Sequence, residues 1–236
     1  MIEVKHVTKS YDKIKKANDD ITLTIEKGDL YGFIGHNGAG KTTLLKSISG
    51  IINFDEGDIL VDGYSIKKDP IKVKNMLAYI PDQPTVYESL TGIEFLNFIA
   101  DLYQISEEER LNSINTYANL FELTDALNQV ISSYSHGMKQ KLVIISALIH
   151  KPKVMLLDEP FVGLDPKASF HLKEIFDQLR KKGTAIFFST HVLDVAEKLC
   201  NKIAIIKDGK IVANGLTKDV ISIESLEKTF MDLSSE

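Results

Sequence analysis

The stretch GHNGAGKT, residues 35–42, constrains the fold of this chain more than any other feature of the sequence. It fits the spacing G-x-x-x-x-G-K-[ST]. The segment before it is apolar and rich in β-branched residues, and the segment after it carries apolar residues at helical spacing. A strand, a glycine-rich turn and a helix in this order bring backbone N–H groups together at one point. The sequence therefore predicts an anion-binding loop at the end of a strand.

The side chains of this loop indicate that the anion is a nucleotide phosphate. Lys41 supplies a positive charge for β- and γ-phosphates, and the hydroxyl of Thr42 is a hard oxygen ligand for Mg²⁺. The glycines let the backbone approach the phosphates closely. We therefore predict that the nucleotide is bound by Gly35, His36, Asn37, Gly38, Ala39, Gly40, Lys41, Thr42 and Thr43.

Two adjacent carboxylates follow an apolar strand in the stretch VMLLDEP. Asp158 ends this strand at the carboxyl edge of the sheet, where open α/β folds bind their ligands, and is expected to hold Mg²⁺. Glu159 is expected to direct the attacking water. Such a pair on its own is better explained as a solvent-facing turn. The phosphate loop upstream favours the catalytic interpretation instead.

Two further polar residues stand at the ends of predicted elements. Asp165 precedes Pro166 in the stretch GLDPKAS, so it is expected to cap a helix, which does not exclude a second role. His191 ends the apolar stretch FFSTH. Because that strand is predicted to neighbour the strand of Asp158, we expect His191 to contact the γ-phosphate.

The order of the remaining patterns predicts an α/β fold with a mostly parallel sheet. Strands flank the phosphate loop and return after residue 153, and the region from about 90 to 149 is helical. The patterns predict a helix carrying Leu44, Leu45, Ile48, Ile51 and Ile52, with Gly50 as a candidate C-cap or break near its end. They also predict helix starts at Thr91 and Ser106, hairpins at Asp62-Gly63 and Asp208-Gly209, and a final amphipathic helix over residues 225–233.

Composition narrows the class of protein. The 236 residues suffice for one large α/β domain or two small ones, and the formal net charge of −5 gives no reason to expect nucleic acid as a partner. A single cysteine, Cys200, favours a reducing, cytosolic setting. No run approaches the roughly 20 apolar residues that cross a bilayer, so membrane association would come through a partner.

Four further motifs follow the phosphate loop along the chain: YSHGMKQK (residues 134–141), LLDEP, GLDP and STH. This set of motifs, in this order and spacing, resembles the nucleotide-binding domain of ABC transporters. The resemblance implies one ABC-type ATP-binding domain over residues 1–236. It implies a P-loop NTPase core, an antiparallel β-subdomain and an inserted helical subdomain at about residues 89–150. It also implies ATP and Mg²⁺ as cofactors and ATP hydrolysis by a head-to-tail dimer.

The resemblance also assigns roles to individual residues. Ser135 would donate its hydroxyl, and Gly137 its backbone N–H, to the γ-phosphate of ATP held by the opposite subunit. Tyr11 matches the aromatic residue that stacks on adenine, and Asp165 matches the residue that communicates between the two sites. His191 matches the switch histidine, which acts with Lys41 and Glu159 in hydrolysis.

Two positions depart from the family pattern. His136 stands where the family's signature usually has its first glycine. Asp82 stands where the family usually has the glutamine that senses Mg²⁺, and Gln83 follows it. A carboxylate also binds Mg²⁺, but it cannot donate a hydrogen bond to water. Asp82 is therefore a metal-site candidate, and the choice between Asp82 and Gln83 stays open.

The expected function is that of an ATPase subunit on the cytoplasmic face of the cell membrane. It would drive export of a drug, peptide or lipid through a separate transmembrane permease, paired with a second ATP-binding subunit that is the same or a different chain. The alternative is a soluble ABC-type ATPase without a transport role, similar to an iron–sulfur assembly scaffold. A P-loop kinase or GTPase has no reason to contain YSHGMKQK or STH.

Overall fold

The computed structural model describes residues 1–11 and 15–221. The strands are β1 (Ile2–Ser10), β2 (Lys16–Ile25), β3 (Leu30–Ile34), β4 (Glu56–Val61), β5 (Tyr64–Ser65), β6 (Leu77–Ile80), β7 (Val154–Asp158), β8 (Ala185–Thr190), β9 (Lys202–Lys207) and β10 (Lys210–Leu216). The helices are α1 (Lys41–Ile48), α2 (Pro70–Met76), α3 (Gly92–Leu102), α4 (Glu107–Leu120), α5 (His136–Ile149), α6 (Pro166–Lys181), α7 (Leu193–Leu199) and α8 (Thr217–Val220), with short 3₁₀ turns at Thr124–Ala126 and Ile131–Ser133. The predicted helix over 225–233 lies outside the described residues.

The main sheet has six strands in the order β10-β9-β3-β8-β7-β6. All neighbours pair in parallel except β10, which forms an antiparallel hairpin with β9. Every residue of β3, β7 and β8 is buried, as expected for strands covered on both faces. The mostly parallel sheet predicted from the sequence is confirmed.

A second sheet is antiparallel and has the order β2-β1-β4-β5. Its hairpin turns at Asp62-Gly63, and the β9–β10 hairpin turns at Asp208-Gly209, both as predicted. All four turn residues have positive φ, between 47° and 85°. Two-residue turns of this kind match the twist of the flanking strands, which is why Asp-Gly predicts them.

The side chains of the main sheet alternate between two apolar cores. Leu156 and Phe187 lie in the core shared with the antiparallel sheet and α1. Leu157 and Phe188 lie in the core shared with α3, α5 and α6. The sheet is therefore the middle layer, because successive residues of a strand point to opposite faces.

The predicted helical region is inserted between β6 and β7 as α3, α4 and α5. The hydroxyl of Thr91 accepts from the Glu94 N–H, and the Glu94 carboxylate accepts from the Thr91 N–H at 2.7 Å, which is the predicted capping box. Ser106 caps α4 in the same way, with its hydroxyl oxygen accepting from the Glu109 N–H. Among the described residues, no helix is both long and apolar enough to span a membrane.

The end of α1 differs from the prediction. The helix stops at Ile48, so Ile51 and Ile52 lie beyond it and their assignment to the helix was wrong. Gly50 adopts φ +67°, and the Ile51 N–H bonds back to the Lys46 carbonyl oxygen at 3.0 Å. This left-handed residue ends the helix and turns the two isoleucines out of the helical register.

We predict that Gly50→Ala destabilises the protein more than Gly183→Ala does. Both glycines follow a helix with positive φ, which costs an L-residue about 1–2 kcal/mol. A Cβ at Gly50 would also lie 2.9 Å from the buried δ-methyl of Ile66, whereas no atom in the described part of the chain lies within 4 Å of a Cβ at Gly183. Urea unfolding of both variants measures the difference, and equal losses would contradict the packing argument.

Candidate nucleotide site

A cavity of about 420 Å³ opens at the carboxyl ends of β3 and β7. Parallel strands end at one edge of a sheet, and this edge gathers the phosphate loop and both carboxylates. The cavity is lined by Tyr11, Lys15, Ala17, Asn37, Gly38, Gly40, Lys41, Thr42, Thr43, Asp82, Asp158 and Glu159. Segments separated by more than a hundred residues thus meet in one site.

The glycines of the phosphate loop are required by close backbone contacts. Gly40 has φ +111°, and a Cβ there would lie 2.1 Å from the carbonyl oxygen of Ala17 on β2. A Cβ at Gly35 would lie 2.6 Å from the carbonyl oxygen of Ile206 on β9. The loop therefore packs directly against the backbone of two strands, which no larger residue allows.

Lys41 is the buried cation of the site. Its side chain is only 6% exposed, and its ammonium donates to the carbonyl oxygens of Gly35 at 2.6 Å and His36 at 3.2 Å. Burial lowers the pKa of Lys41, and the carboxylates of Glu159 and Asp158 oppose that shift. The lysine thus lies between the phosphate loop and the acidic pair.

The Asp158 carboxylate joins three segments of the chain. One oxygen accepts from the Thr42 hydroxyl at 2.5 Å, and the other accepts from the hydroxyl of Ser189 on the neighbouring strand. Sequence reasoning missed Ser189, although the register of β7 and β8 pairs it with Asp158. These hydrogen bonds fix the carboxylate at the cavity wall beside the start of α1.

The oxygens of this wall fit Mg²⁺. Thr42 and Asp158 offer the hard oxygen ligands that Mg²⁺ prefers, and Asp82 lines the same cavity. Within residues 1–11 and 15–221, no cluster of three or more His, Cys, Asp or Glu side chains forms a metal cage. A Mg²⁺ ion carried with a nucleotide needs no such cage, because phosphates and waters complete its octahedral shell.

Glu159 and His191 form a pair at the rim of the cavity. The Glu159 carboxylate lies 2.9 Å from His191 Nδ1 and 3.8 Å from the Lys41 ammonium. Glu159 itself has φ +49°, and its N–H donates to the Ser189 hydroxyl at 3.1 Å. A non-glycine residue held in this rare conformation is typical of functional sites.

Tyr11 stands at the entrance to the cavity. Its side chain is 67% exposed, and its hydroxyl lies 3.4 Å from that of Thr43 in the phosphate loop. An exposed aromatic ring beside a phosphate loop offers an open face to a base. The structure therefore places Tyr11 where adenine stacking is geometrically possible.

Asp82, not Gln83, lines the cavity. A second residue near this loop, Tyr79 on β6, was not singled out from the sequence. Its hydroxyl is buried and has no hydrogen-bond partner among the described residues. Burial, together with the carboxylates of Asp158 and Asp82, raises the pKa of Tyr79. The metal-site prediction for Asp82 is compatible with this position.

Ser135 and Gly137 lie outside this cavity, at the start of α5. Ser135 is exposed, and its hydroxyl oxygen accepts the Met138 N–H at 3.3 Å as the helix cap. A Cβ at Gly137 would lie 2.9 Å from the carbonyl oxygen of Gly163. The two residues thus present a helix N-terminus at the surface, away from the site formed by their own chain.

Asp165 caps α6 as predicted, with its carboxylate accepting the Ala168 N–H at 2.8 Å. It also pairs with the Lys141 ammonium of α5 at 2.6 Å. The bond to Lys141 and then the bond to Ala168 lower the pKa of Asp165. This side chain is therefore engaged within its own subunit.

Comparison with known proteins agrees with these motifs. The family described as ABC transporter matches residues 18–162. A linearmycin resistance ATP-binding protein of Bacillus subtilis (strain 168), LnrL, is 34% identical over 222 residues, covering 94% of this chain and 71% of LnrL.

Solved structures extend the similarity to the fold. The structure of an ATP-binding subunit of an ABC transporter has a TM-score of 0.94 and 33% identity, covering 99% of both chains. The ATP-binding cassette MJ0796, solved as a dimer in a post-hydrolysis state with ADP and Pi, has a TM-score of 0.84 and 25% identity, covering 92% of this chain and 99% of that one. The chain belongs to the ABC transporter family, as an ATP-binding subunit with the α/β fold and ATPase activity of that family.

Proposed function

We propose that this ATPase subunit drives export of a drug, peptide or lipid through a separate membrane permease. The main observation behind the proposed ATPase site is that Lys41, Asp158 and Glu159 line one cavity. The similarity to LnrL, a linearmycin resistance ATP-binding protein, supports a drug-like substrate for the permease. Residues 1–236 would act as one ABC-type ATP-binding domain, with about 89–150 as its helical subdomain, located on the cytoplasmic face of the membrane.

Nucleotide binding uses the backbone first. The N–H groups of residues 35–43 and the N-terminus of α1 receive the phosphates, and Tyr11 stacks on adenine. Lys41 lies 2.6 Å from the Gly35 carbonyl oxygen, so its ammonium is already inside the loop. Thr42 and Asp158 would hold Mg²⁺, with Asp82 as a third candidate. When bound, the ion neutralises phosphate charge.

Hydrolysis then depends on the rim residues. Glu159 accepts the proton of the attacking water, and His191, 2.9 Å from that carboxylate, orients it and contacts the γ-phosphate. Lys41 stabilises the charge on the transferring phosphoryl group. The Asp158 carboxylate bonds to the hydroxyls of Thr42 and Ser189. The Glu159 carboxylate instead lies beside His191 and Lys41, so the two acids serve different atoms.

We expect Glu159→Gln to bind ATP at parent affinity and to lose turnover by about 10²-fold or more, because general-base catalysis contributes 10²–10⁴-fold. Phosphate release at saturating ATP and calorimetric ATP binding measure the two effects. Lys41→Ala is the contrasting variant and is expected to lose ATP binding. Normal turnover by Glu159→Gln would contradict the assigned role.

The second part of the proposal is closure of two ATP-binding subunits. Ser135 is exposed and Gly137 half-buried at the N-terminus of α5, outside the cavity of their own subunit, so the phosphate they suit belongs to another subunit. Asp165, next to this surface, would communicate between the sites. This contact exists with ATP and not with ADP, which is the difference in affinity that a ligand-driven switch requires.

We predict an ATP-dependent dimer of the Glu159→Gln chain that Ser135→Arg abolishes. The arginine fills the space reserved for the partner's phosphate, whereas Thr116→Arg, on the exposed face of α4, leaves the dimer intact. Light scattering with and without Mg-ATP gives the mass. A dimer that persists in Ser135→Arg would contradict the role of Ser135 across the interface.

The third part is the permease contact. Tyr87 and Phe98 pack at 5.5 Å between ring centroids, and Leu102 lies one turn further along α3 with 61% of its side chain exposed. Exposed apolar clusters of this kind mark interaction surfaces. Tyr87 lies five residues after Asp82, which lines the cavity. A membrane partner bound to this patch would therefore respond to nucleotide in the cavity.

We predict that Leu102→Glu moves the chain from the membrane fraction of its cells to the soluble fraction, with ATP binding retained. A charge placed in the patch must be desolvated on docking. Val212→Glu, on β10, is the matched control and should stay with the membranes. A parent chain found only with a soluble partner would instead support the alternative, a soluble scaffold-type ATPase.

A further inference from the structure

The phosphate loop is held from behind by two groups that lie outside its motif. The N–H of Gly209, in the turn between β9 and β10, donates to the Ala39 carbonyl oxygen at 3.0 Å. The side-chain amide of Asn18, on β2, donates to the Gly40 carbonyl oxygen at 3.1 Å. Two consecutive carbonyls of the loop are therefore hydrogen-bonded, one to the β9–β10 turn and the other to strand β2.

These bonds set the direction of the N–H groups that follow. In a planar trans peptide, the carbonyl of one residue and the N–H of the next point in opposite directions. Holding the Ala39 carbonyl thus orients the Gly40 N–H, and holding the Gly40 carbonyl orients the Lys41 N–H. The Gly40 carbonyl oxygen also accepts a hydrogen bond from the Leu44 N–H at 3.1 Å. The Asn18 amide is therefore the second donor to this oxygen.

Asn18 is an unexpected residue for its position. It is 0% exposed within a strand. Its buried Oδ1 has no hydrogen-bond partner within residues 1–11 and 15–221, which lowers the stability of the fold. Turning the amide over would place Oδ1 against the Gly40 oxygen, where two acceptors repel. An aliphatic residue would fill the site without this cost. What the amide supplies that an aliphatic side chain would lack is the hydrogen bond to the Gly40 carbonyl oxygen.

The turn that carries Gly209 is fastened to β2 beside Asn18. The Gly209 carbonyl accepts the Asp19 N–H at 2.8 Å. Gly209 has φ +80°, and a Cβ there would lie 2.9 Å from the Lys16 carbonyl oxygen and 3.1 Å from that of Ala17. Loop, strand and turn are thus in direct backbone contact, and a side chain at Gly209 would push β2.

We propose that Asn18 and Gly209 are positioning residues of the nucleotide site. They hold the back of the phosphate loop so that the N–H groups of Gly40 and Lys41 face the phosphates before nucleotide arrives. A preformed loop loses less freedom on binding, which raises affinity. This inference rests on the proposed role of residues 35–43 in nucleotide binding.

The test separates affinity from stability. Asn18→Leu should raise the Kd for ATP between about two- and tenfold, the range for loss of one hydrogen bond, while the urea midpoint stays equal or rises. Thr217→Val is the matched control, because Thr217 on α8 is also buried and its hydroxyl donates to a backbone carbonyl, that of Cys200 at 2.7 Å, outside the nucleotide site. It should bind ATP at parent affinity. Gly209→Ala is the second variant and should also weaken ATP binding.

Parent affinity in both Asn18→Leu and Gly209→Ala would overturn the inference. So would an equal loss of affinity in Thr217→Val, or a fall in the stability of Asn18→Leu that accompanies its loss of affinity. Lys41→Ala distinguishes a failure of the positioning role from a failure of the proposed nucleotide site. If it loses ATP binding while Asn18→Leu does not, only the positioning role is wrong. If Lys41→Ala binds ATP normally, the phosphate loop itself is misassigned.

Discussion

The parallel pairing of β3, β8 and β7 is the constraint on which the nucleotide site depends. Its register sets Ile34 beside Thr190 and Asp158 beside Ser189, so the three strands end at one level. The Ser189 hydroxyl therefore reaches the Asp158 carboxylate, and Glu159 follows at the rim. A slip of one residue in β7 would turn Asp158 from the face of α1 to the face of the helical core.

The antiparallel sheet supports the phosphate loop directly. Its strand β2 passes so close to the phosphate loop that Gly40 has no room for a side chain, and Ala17 of the same strand lines the cavity. The hairpin turn at Gly209 closes the contact from the other side. Three backbones packed without intervening side chains form a rigid support, because few rotatable groups lie between them.

The helical region is joined to the catalytic edge by short contacts. The Lys141 ammonium of α5 pairs with Asp165 at 2.6 Å, and Gly137 lies against the Gly163 carbonyl. His136 packs on Gly163 as well, since a Cβ at that glycine would lie 2.7 Å from the imidazole. The loop that begins at Glu159 therefore connects the cavity of a subunit to the helix end at its surface.

The sequence by itself determined what depends on local spacing. The phosphate loop, the capping box at Thr91 and the Asp-Gly hairpins were predictable because backbone sterics and capping involve neighbours in the chain. The order of motifs also indicated the family, and with it the fold. Gly50 was a candidate break of α1, but Ile51 and Ile52 were wrongly assigned to the helix, because apolar periodicity continues past the left-handed glycine that turns the chain.

Only the tertiary structure decided which distant residues serve the site. Ser189 lies inside the motif STH, but sequence reasoning assigned it no role, and Asn18 and Tyr79 were not singled out at all. Ser189 and Asn18 act on segments far away in the chain, through strand register and close backbone approach. The structure also placed Asp82, rather than Gln83, at the cavity. Contacts between segments depend on how whole elements pack, and local pattern carries no record of that packing.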